Sequence, residues 1–359
     1  MHINLSSLSR LFSPGSGDKK EAKLTPEELD SISSSFDESL LIHLRGLSPA
    51  SVSLAWLSSA VGVLNFAHSA VKSLLPNLEL DKADSLLSWY FVESMKVLDL
   101  CNCISSEIAR LHRCHVKLRI TIEHLHSDPN PSEEEIRRAI NLLVDLEGEG
   151  GDGVVKSTGN IKELIRDPAA SVGTSAPQGK VSPVERATRH MIHAAVFVTV
   201  FVAGVISTAF HASPGALGHI HVPEEFPWRD SFHTIEMAVI AELGRVQEKE
   251  RKTSVLKEIE DVEARVRHLI EPMDEVTASG GSGDMAERIR EMAAALEKAT
   301  GVLLERADRL TEAVDGLFET VMEIRTKMTD GLRERLSPER PFEGVLCDGE
   351  KQSESDFGD

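Results

Sequence analysis

The chain has 359 residues, with 58 Asp and Glu against 39 Lys and Arg and a formal net charge of -19. That acidic balance excludes binding along a phosphate backbone, which needs clustered Lys and Arg, so nucleic acid is not an expected partner. Hydrophobic residues make up 41% but aromatic ones only 4%, with Tyr90 the single tyrosine, which favours helices packed through Leu, Ile, Val, Met and Ala over a large β-sandwich or a pocket-rich enzyme.

Residues 1–24 read as a disordered leader. Arg10 is followed early by Asp18 and Glu21, and no long apolar core is present, so no cleaved secretory signal is expected there. Thr25-Pro26-Glu27-Glu28 then combines a capping box with proline at the first helical position, where its missing N–H costs nothing. A helix follows to about Leu44, with Leu29, Ile32, Phe36, Leu40 and Leu44 as its apolar stripe, and Gly46 to Pro49 break it. The second helix, from about Ser51 to Leu75, carries Leu54, Leu57, Val61, Leu64 and Val71, and Pro76 closes it.

Between Lys82 and His126 there is neither Pro nor Gly. Leu86, Leu87, Tyr90, Met95, Leu98, Cys101, Ile104, Ile108, Leu111, Val116, Leu118, Ile122 and Leu125 keep helical spacing throughout, which predicts one long helix or two nearly collinear ones. Pro131-Ser132-Glu133-Glu134-Glu135 starts another helix, ending at Gly148. Residues 25–147 thus form an N-terminal helical bundle, and 148–182, rich in Gly, Ser, Ala and Pro, a flexible connector.

Residues 183–211 hold the most apolar segment, because 191–210 contains no Asp, Glu, Lys or Arg. A hydrocarbon core about 30 Å thick needs roughly 20 apolar residues in a helix, so the run is just long enough to span, and equally the length of a buried bundle helix. Only His193 is awkward, in the run's first turn. Lys180, Arg186 and Arg189 precede the run, whereas Glu224 and Glu225 are the first charges after it, so a span would leave the N-terminal half cytosolic. That topology would translocate the charged C-terminal helices, so the expectation is a helix packed within the bundle that touches a membrane peripherally.

Residues 212–336 complete the bundle. Glu225-Phe226-Pro227-Trp228 leads into a helix with Phe232, Ile235, Met237, Val239, Ile240 and Leu243. The next, from about Thr253 to Ile270, shows Leu256, Ile259, Val262, Val266 and Leu269. In the last helix Met285, Ile289, Met292, Leu296, Ala299 and Leu303 step by four and three. Ala307, Leu310, Val314, Leu317, Val321, Ile324 and Met328 resume that pattern after one extra four-residue step, a coiled-coil stutter. It should exceed 40 residues, about eleven helical turns, and lie along the long helix containing Cys101. Residues 337–359 form an acidic tail expected to be disordered. The fold class is therefore all-α: an elongated antiparallel bundle with long coiled-coil-like helices and one central, very apolar helix.

Catalytic and metal-binding patterns do not emerge. His112, His115, His124 and His126 lie near Cys114, and His211, His219 and His221 follow the apolar run, but no H-E-x-x-H pair occurs and no second ligand pair has metal-site spacing. Cys101 and Cys103 point about 200° apart on a helix and cannot chelate one ion together. Together with Cys114 and Cys347 they read as reduced thiols. Gly148 to Gly153 follows a helix and lacks a terminal Gly-Lys-Ser/Thr, and there is no G-x-S-x-G. No catalytic, cofactor-binding or metal residues are assigned, no cofactor is expected, and the chain reads as a non-enzyme.

Two stretches carry a family resemblance. Met95-Lys96-Val97-Leu98-Asp99-Leu100-Cys101-Asn102, continuing through Ser105-Ser106-Glu107-Ile108-Ala109-Arg110-Leu111, resembles a signature of the plant BYPASS-type proteins, and Glu225-Phe226-Pro227-Trp228-Arg229-Asp230-Ser231-Phe232 is similar to their element after the central apolar segment. Trp56 falls where that family has an early-helix Trp, and the similarity covers roughly residues 25–335. The glycines of 148–153 and the acidic tail depart from it. The resemblance implies a helical plant protein without assigned catalytic residues, restraining a root-derived mobile signal that arrests shoot growth. It also implies protein partners, membrane association at the cytosolic face, with the endoplasmic reticulum as a candidate, and no active site to carry over. Cytoplasmic and plastid locations are the alternatives. The alternative functions are an adaptor in exocytosis or, third, a metal-dependent enzyme. Asp99, Asn102 and Glu107 are expected to make polar contacts between helices, and Trp228 to anchor a helix start.

Overall fold

Four of the helices begin where a Ser or Thr side chain satisfies a free N–H group. In the computed structural model, which describes residues 24–47, 51–78, 84–126, 132–148, 181–211, 219–247, 256–279 and 283–336, the Thr25 hydroxyl accepts from the Glu28 N–H at 3.3 Å and Glu28 accepts from the Thr25 N–H at 2.8 Å. That capping box opens α1 (Pro26–Gly46). Ser53 caps α2 (Leu54–Leu74) by accepting from the Trp56 N–H, and Pro76 tightens the following residues into a single 3-10 turn, Leu75–Asn77. α3 (Asp84–Leu125) is one unbroken helix of 42 residues, as the absence of Pro and Gly allows. Ser132 and Glu135 form a second capping box at the start of α4 (Glu133–Gly148).

Ser182 accepts from the Glu185 N–H at the head of α5 (Pro183–His211). Then come α6 (Arg229–Gln247), α7 (Lys257–Ser279) and α8 (Gly283–Leu336), the last with 54 residues and a length of about 80 Å. All regular structure among the described residues is helical. Residues 1–23 of the expected leader, 149–180 of the connector and the tail 337–359 lie outside the described residues.

α8 lies along both α3 and α2, α7 folds back on α8, and α4 packs on α3 and α7. α5 sits among α2, α1, α3 and α6. Ser94 meets Arg325 while His112 meets Asp308, so α3 and α8 run antiparallel. Asn65 meets Thr320 and Lys72 meets Glu323, so α2 and α8 run parallel, an exception to simple up-and-down alternation. The expected long last helix, packed on the helix containing Cys101, is present. Its whole stripe from Ile289 to Met328 is buried except Met292, which is half-buried like Met285.

Three assignments of core residues are corrected. Met95, Val116 and Met237 are exposed, at 46%, 49% and 50%. Around Met95 the inward positions of α3 are taken by Phe91, Ser94, Val97 and Leu98, leaving Met95 on the flank. α7 does not stop near Ile270 but runs through Pro272 to Ser279. A proline inside a helix removes one hydrogen bond and crowds the preceding turn. Here the neighbouring Met273 is wholly buried and Val276 packs against the core, which holds the extra turns in place.

Candidate functional site

The apolar run of α5 is enclosed by its neighbours rather than left on a surface. By length and composition two helices qualify as membrane spans, Leu54–Asn77 with mean hydropathy 1.3 and Pro183–Phe210 with 2.1, but 94% of the second one's apolar window is buried inside the protein. The first, 61% buried, was not singled out as a candidate from the sequence. The two threonines of the α5 apolar run bond within the helix: the Thr199 hydroxyl donates to the Ala195 carbonyl at 2.7 Å and that of Thr208 to Gly204 at 2.9 Å, while the buried Ser207 hydroxyl has no partner among the described residues. Since α5 begins at Pro183, His193 lies in its third turn, edge-on to the Trp89 ring, and not at an interface. Burial, with Arg189 and His190 nearby, pushes its imidazole down to about 4.

Two buried polar clusters fasten α5 to its neighbours. In the first, His68 of α2 lies 2.8 Å from the Tyr90 hydroxyl and 3.4 Å from that of Thr199. Because the Thr199 proton already points at Ala195, its oxygen accepts from the His68 Nε2–H, and Nδ1 accepts from Tyr90. Burial holds this imidazole neutral, down to about 4, and pushes the Tyr90 phenol well above its ordinary range. A small crevice beside it is lined by Glu93, Lys96, Val97, Val196, Val200 and Ala203. In the second cluster the Asp37 carboxylate accepts from His190 Nε2 at 2.8 Å and from the indole Nε1–H of Trp228 at 3.1 Å. Trp228 is wholly buried at the start of α6, the anchor the sequence called for, with Phe197, Phe226 and Phe232 around it.

The histidines read from the sequence do not converge. His112 sits 3.5 Å from Asp308, His115 is half-buried, and His126 is exposed. Cys101, Cys103 and Cys114 are not in disulfides, and burial pushes the Cys101 thiol up to about 12, which makes it unreactive. Glu107, expected to bridge helices, pairs with Arg110 of its own helix, and Asn102 is exposed. One cluster escaped sequence reading. Glu236 of α6 is wholly buried; its Oε1 accepts from the Ile220 N–H at 2.8 Å, while His219 Nδ1 and His233 Nδ1 lie 2.9 Å and 3.2 Å from Oε2. The available signal was His233-x-x-Glu236, one face of a helix start, with His219 on the preceding segment.

An all-α bundle with a buried apolar centre is the class these features define. Residues 169–332 match the family model described as Protein ROH1-like. The chain is 31% identical over 253 residues to UPF0496 protein 4 of Oryza sativa subsp. japonica, a match covering 67% of this chain and 54% of that protein. It is 26% identical over 286 residues to Protein BPS1, chloroplastic, of Arabidopsis thaliana, covering 79% of this chain and 77% of that protein. The chain thus belongs to the ROH1-like family, in the group with the UPF0496 and BPS1 proteins, and the BYPASS-type resemblance holds. The chain spans about half the length of the rice relatives it matches. No solved structure matches it. The family is not one of known enzymes.

Proposed function

We propose that the chain is a non-enzymatic helical scaffold of plant developmental signalling, restraining a root-derived mobile signal through protein partners while associated with a membrane surface. The observation that carries this reading is the burial of α5: the most apolar segment is spent on holding α1, α2, α3 and α6 together, which leaves helix surfaces as the means of contact. Membership of the group containing BPS1 supports the signalling role. Of the two helices apolar enough to cross a bilayer, Leu54–Asn77 is only 61% buried and supports the membrane association. On α8, Phe318 and Met322 stand one turn apart, 38% and 41% exposed, as a helix face suited to a partner.

Expression of the chain in the roots of a plant lacking it is expected to restore shoot growth. A Phe318→Glu, Met322→Glu double variant should keep its helical content and fail to do so. Restoration by the double variant equal to that by the parent chain would remove the scaffold surface from the account. Carbonate extraction of native membranes is expected to release the protein, and a glycosylation acceptor placed within 337–359 should remain unmodified. Modification there would mean that α5 spans.

A further inference from the structure

We infer that His219, His233 and Glu236 bind a divalent first-row transition-metal ion, with Zn2+ the best-matched occupant. The donors come from two pieces of chain. His219 lies on the segment leading into α6, while His233 and Glu236 lie three residues apart on the first turns of that helix. All three ligand atoms fall within 4.8 Å of one another. A tetrahedral ion with bonds of about 2.1 Å sets its ligands about 3.4 Å apart. The two nitrogen-to-carboxylate separations, 2.9 Å and 3.2 Å, already approach that spacing, so only small side-chain shifts are needed. Two imidazoles and one carboxylate select Zn2+, Co2+, Ni2+ or Cu2+ over Mg2+ and Ca2+, which take all-oxygen shells.

The burial of Glu236 makes the case stronger. A carboxylate with no solvent exposure needs its charge met, and among the described residues it is met by no Lys or Arg but only by the two imidazoles, His219 and His233, whose nitrogens already gather on Oε2. Its Oε1 is fixed by the Ile220 N–H, which leaves Oε2 as a single oriented ligand atom, the arrangement that outer hydrogen bonds give to metal-binding carboxylates. The side chains of His219 and His233 are 59% and 51% exposed. Each ring can therefore present Nδ1 to the ion and carry its proton on Nε2 toward water. Three protein ligands leave the fourth position to a water or to a group from a partner. An ion here would also clamp the segment 219–222 onto α6.

The test uses the full chain freed of metal. Titration with Co2+ is expected to give the intense visible absorption of a four-coordinate ion at one equivalent, displaced by Zn2+ and not by Mg2+. His219→Ala and His233→Ala should each weaken Zn2+ binding about tenfold or more. Glu236→Gln, which keeps the acceptor for Ile220, should do the same, and His221→Ala should change nothing. Circular dichroism of the metal-free variants checks folding, and His233→Asn replaces any that misfold. Zn2+ binding that persists unchanged in a His219→Ala, His233→Ala double variant, as it would if the thiols held the ion, overturns the proposal. So does a parent chain that takes up no Zn2+ at micromolar concentration.

Discussion

The end of the bundle around α5 is packed through rings, and the opposite end through branched aliphatic chains. Phe36, Phe66, Trp56, Phe197, Phe201, Phe226, Trp228 and Phe232 contact one another among α1, α2, α5 and the start of α6. α4, α7 and the first 35 residues of α8 (283–317) contain no Phe, Trp or Tyr. Their core is Ile136, Leu143, Ile259, Val262, Leu269, Ile289 and Leu296. The polar groups divide in the same way. The α5 end holds buried pairs joining residues far apart in sequence, such as Asp37 and His190, whereas the other end carries mainly exposed pairs within one helix, such as Arg137 with Glu133 and Arg265 with Asp261, with buried Glu258 of α7, which accepts from the Leu54 N–H and pairs with Arg306, as its exception. Exposed pairs of that kind contribute only about 0.3–0.5 kcal/mol each. One end is specified by unique contacts, the other by a repeating pattern.

The largest effect expected is at a position that both ends share. Leu317 is wholly buried on α8, and Leu317→Asp puts an unpaired charge into the core, so the chain should lose its cooperative urea transition altogether. A variant that still unfolds in a single sharp transition would show that α8 does not join the two ends.

Next in size is Trp228→Ala, which removes a wholly buried indole and strips Asp37 of one donor. A loss of about 3–5 kcal/mol is expected from denaturant midpoints. Leu269→Ala, equally buried at the aliphatic end, should cost less, about 2–3 kcal/mol, since its neighbours are flexible chains able to close on the gap. Equal losses would break the contrast between the two ends.

Acid should separate them further. His68 is neutral when folded, at about 4, and takes up protons at 6.5 when unfolded, so the unfolded state binds more protons between those values. Its contribution is complete above about pH 6.5 and is lost as the pH falls toward 4. Between pH 7 and pH 5 the loss should be on the order of 2 kcal/mol from this residue. His193 acts in the same direction. Protection factors, which correct for the slower intrinsic exchange at pH 5, should therefore fall in α2 and α5 before α7, and a His68→Gln variant should lose part of the pH dependence. The smallest effect belongs to Glu312→Asp on the exposed face of α8, expected within about 0.5 kcal/mol by thermal melts.

Much of this architecture is legible in the sequence because its signals are local. The capping residues Thr25 and Ser132 sit where the helices start, and the four-three spacing from Ile289 to Met328 marks a buried stripe residue by residue. Periodicity alone overreached at Met95 and Met237, where other side chains take the inward positions. The helix expected to end near Ile270 continues through Pro272 to Ser279, because tertiary packing outweighs a local breaker. The length of 191–210 suits a bilayer and a bundle core equally, so only its neighbours decide. The pairs that fasten α5 are invisible to any short window: His68 and Thr199 are 131 residues apart, and Asp37 and Trp228 are 191 apart. Glu236 hid for a further reason, since an acidic residue two turns into a helix reads as a solvent-facing charge, and nothing local marks it as buried.

α8 passes from the aliphatic end to the aromatic one without a break, through Gly301 and Gly316, with α3 alongside it in the opposite sense. In mechanical terms the pair is a beam without a joint. Bending it means straining two side-by-side rods at once, and neither has a proline or an interrupted turn at which to yield. The two ends of α8 are thus held at a set spacing of about 80 Å, and the fold behaves along this axis as a rigid strut.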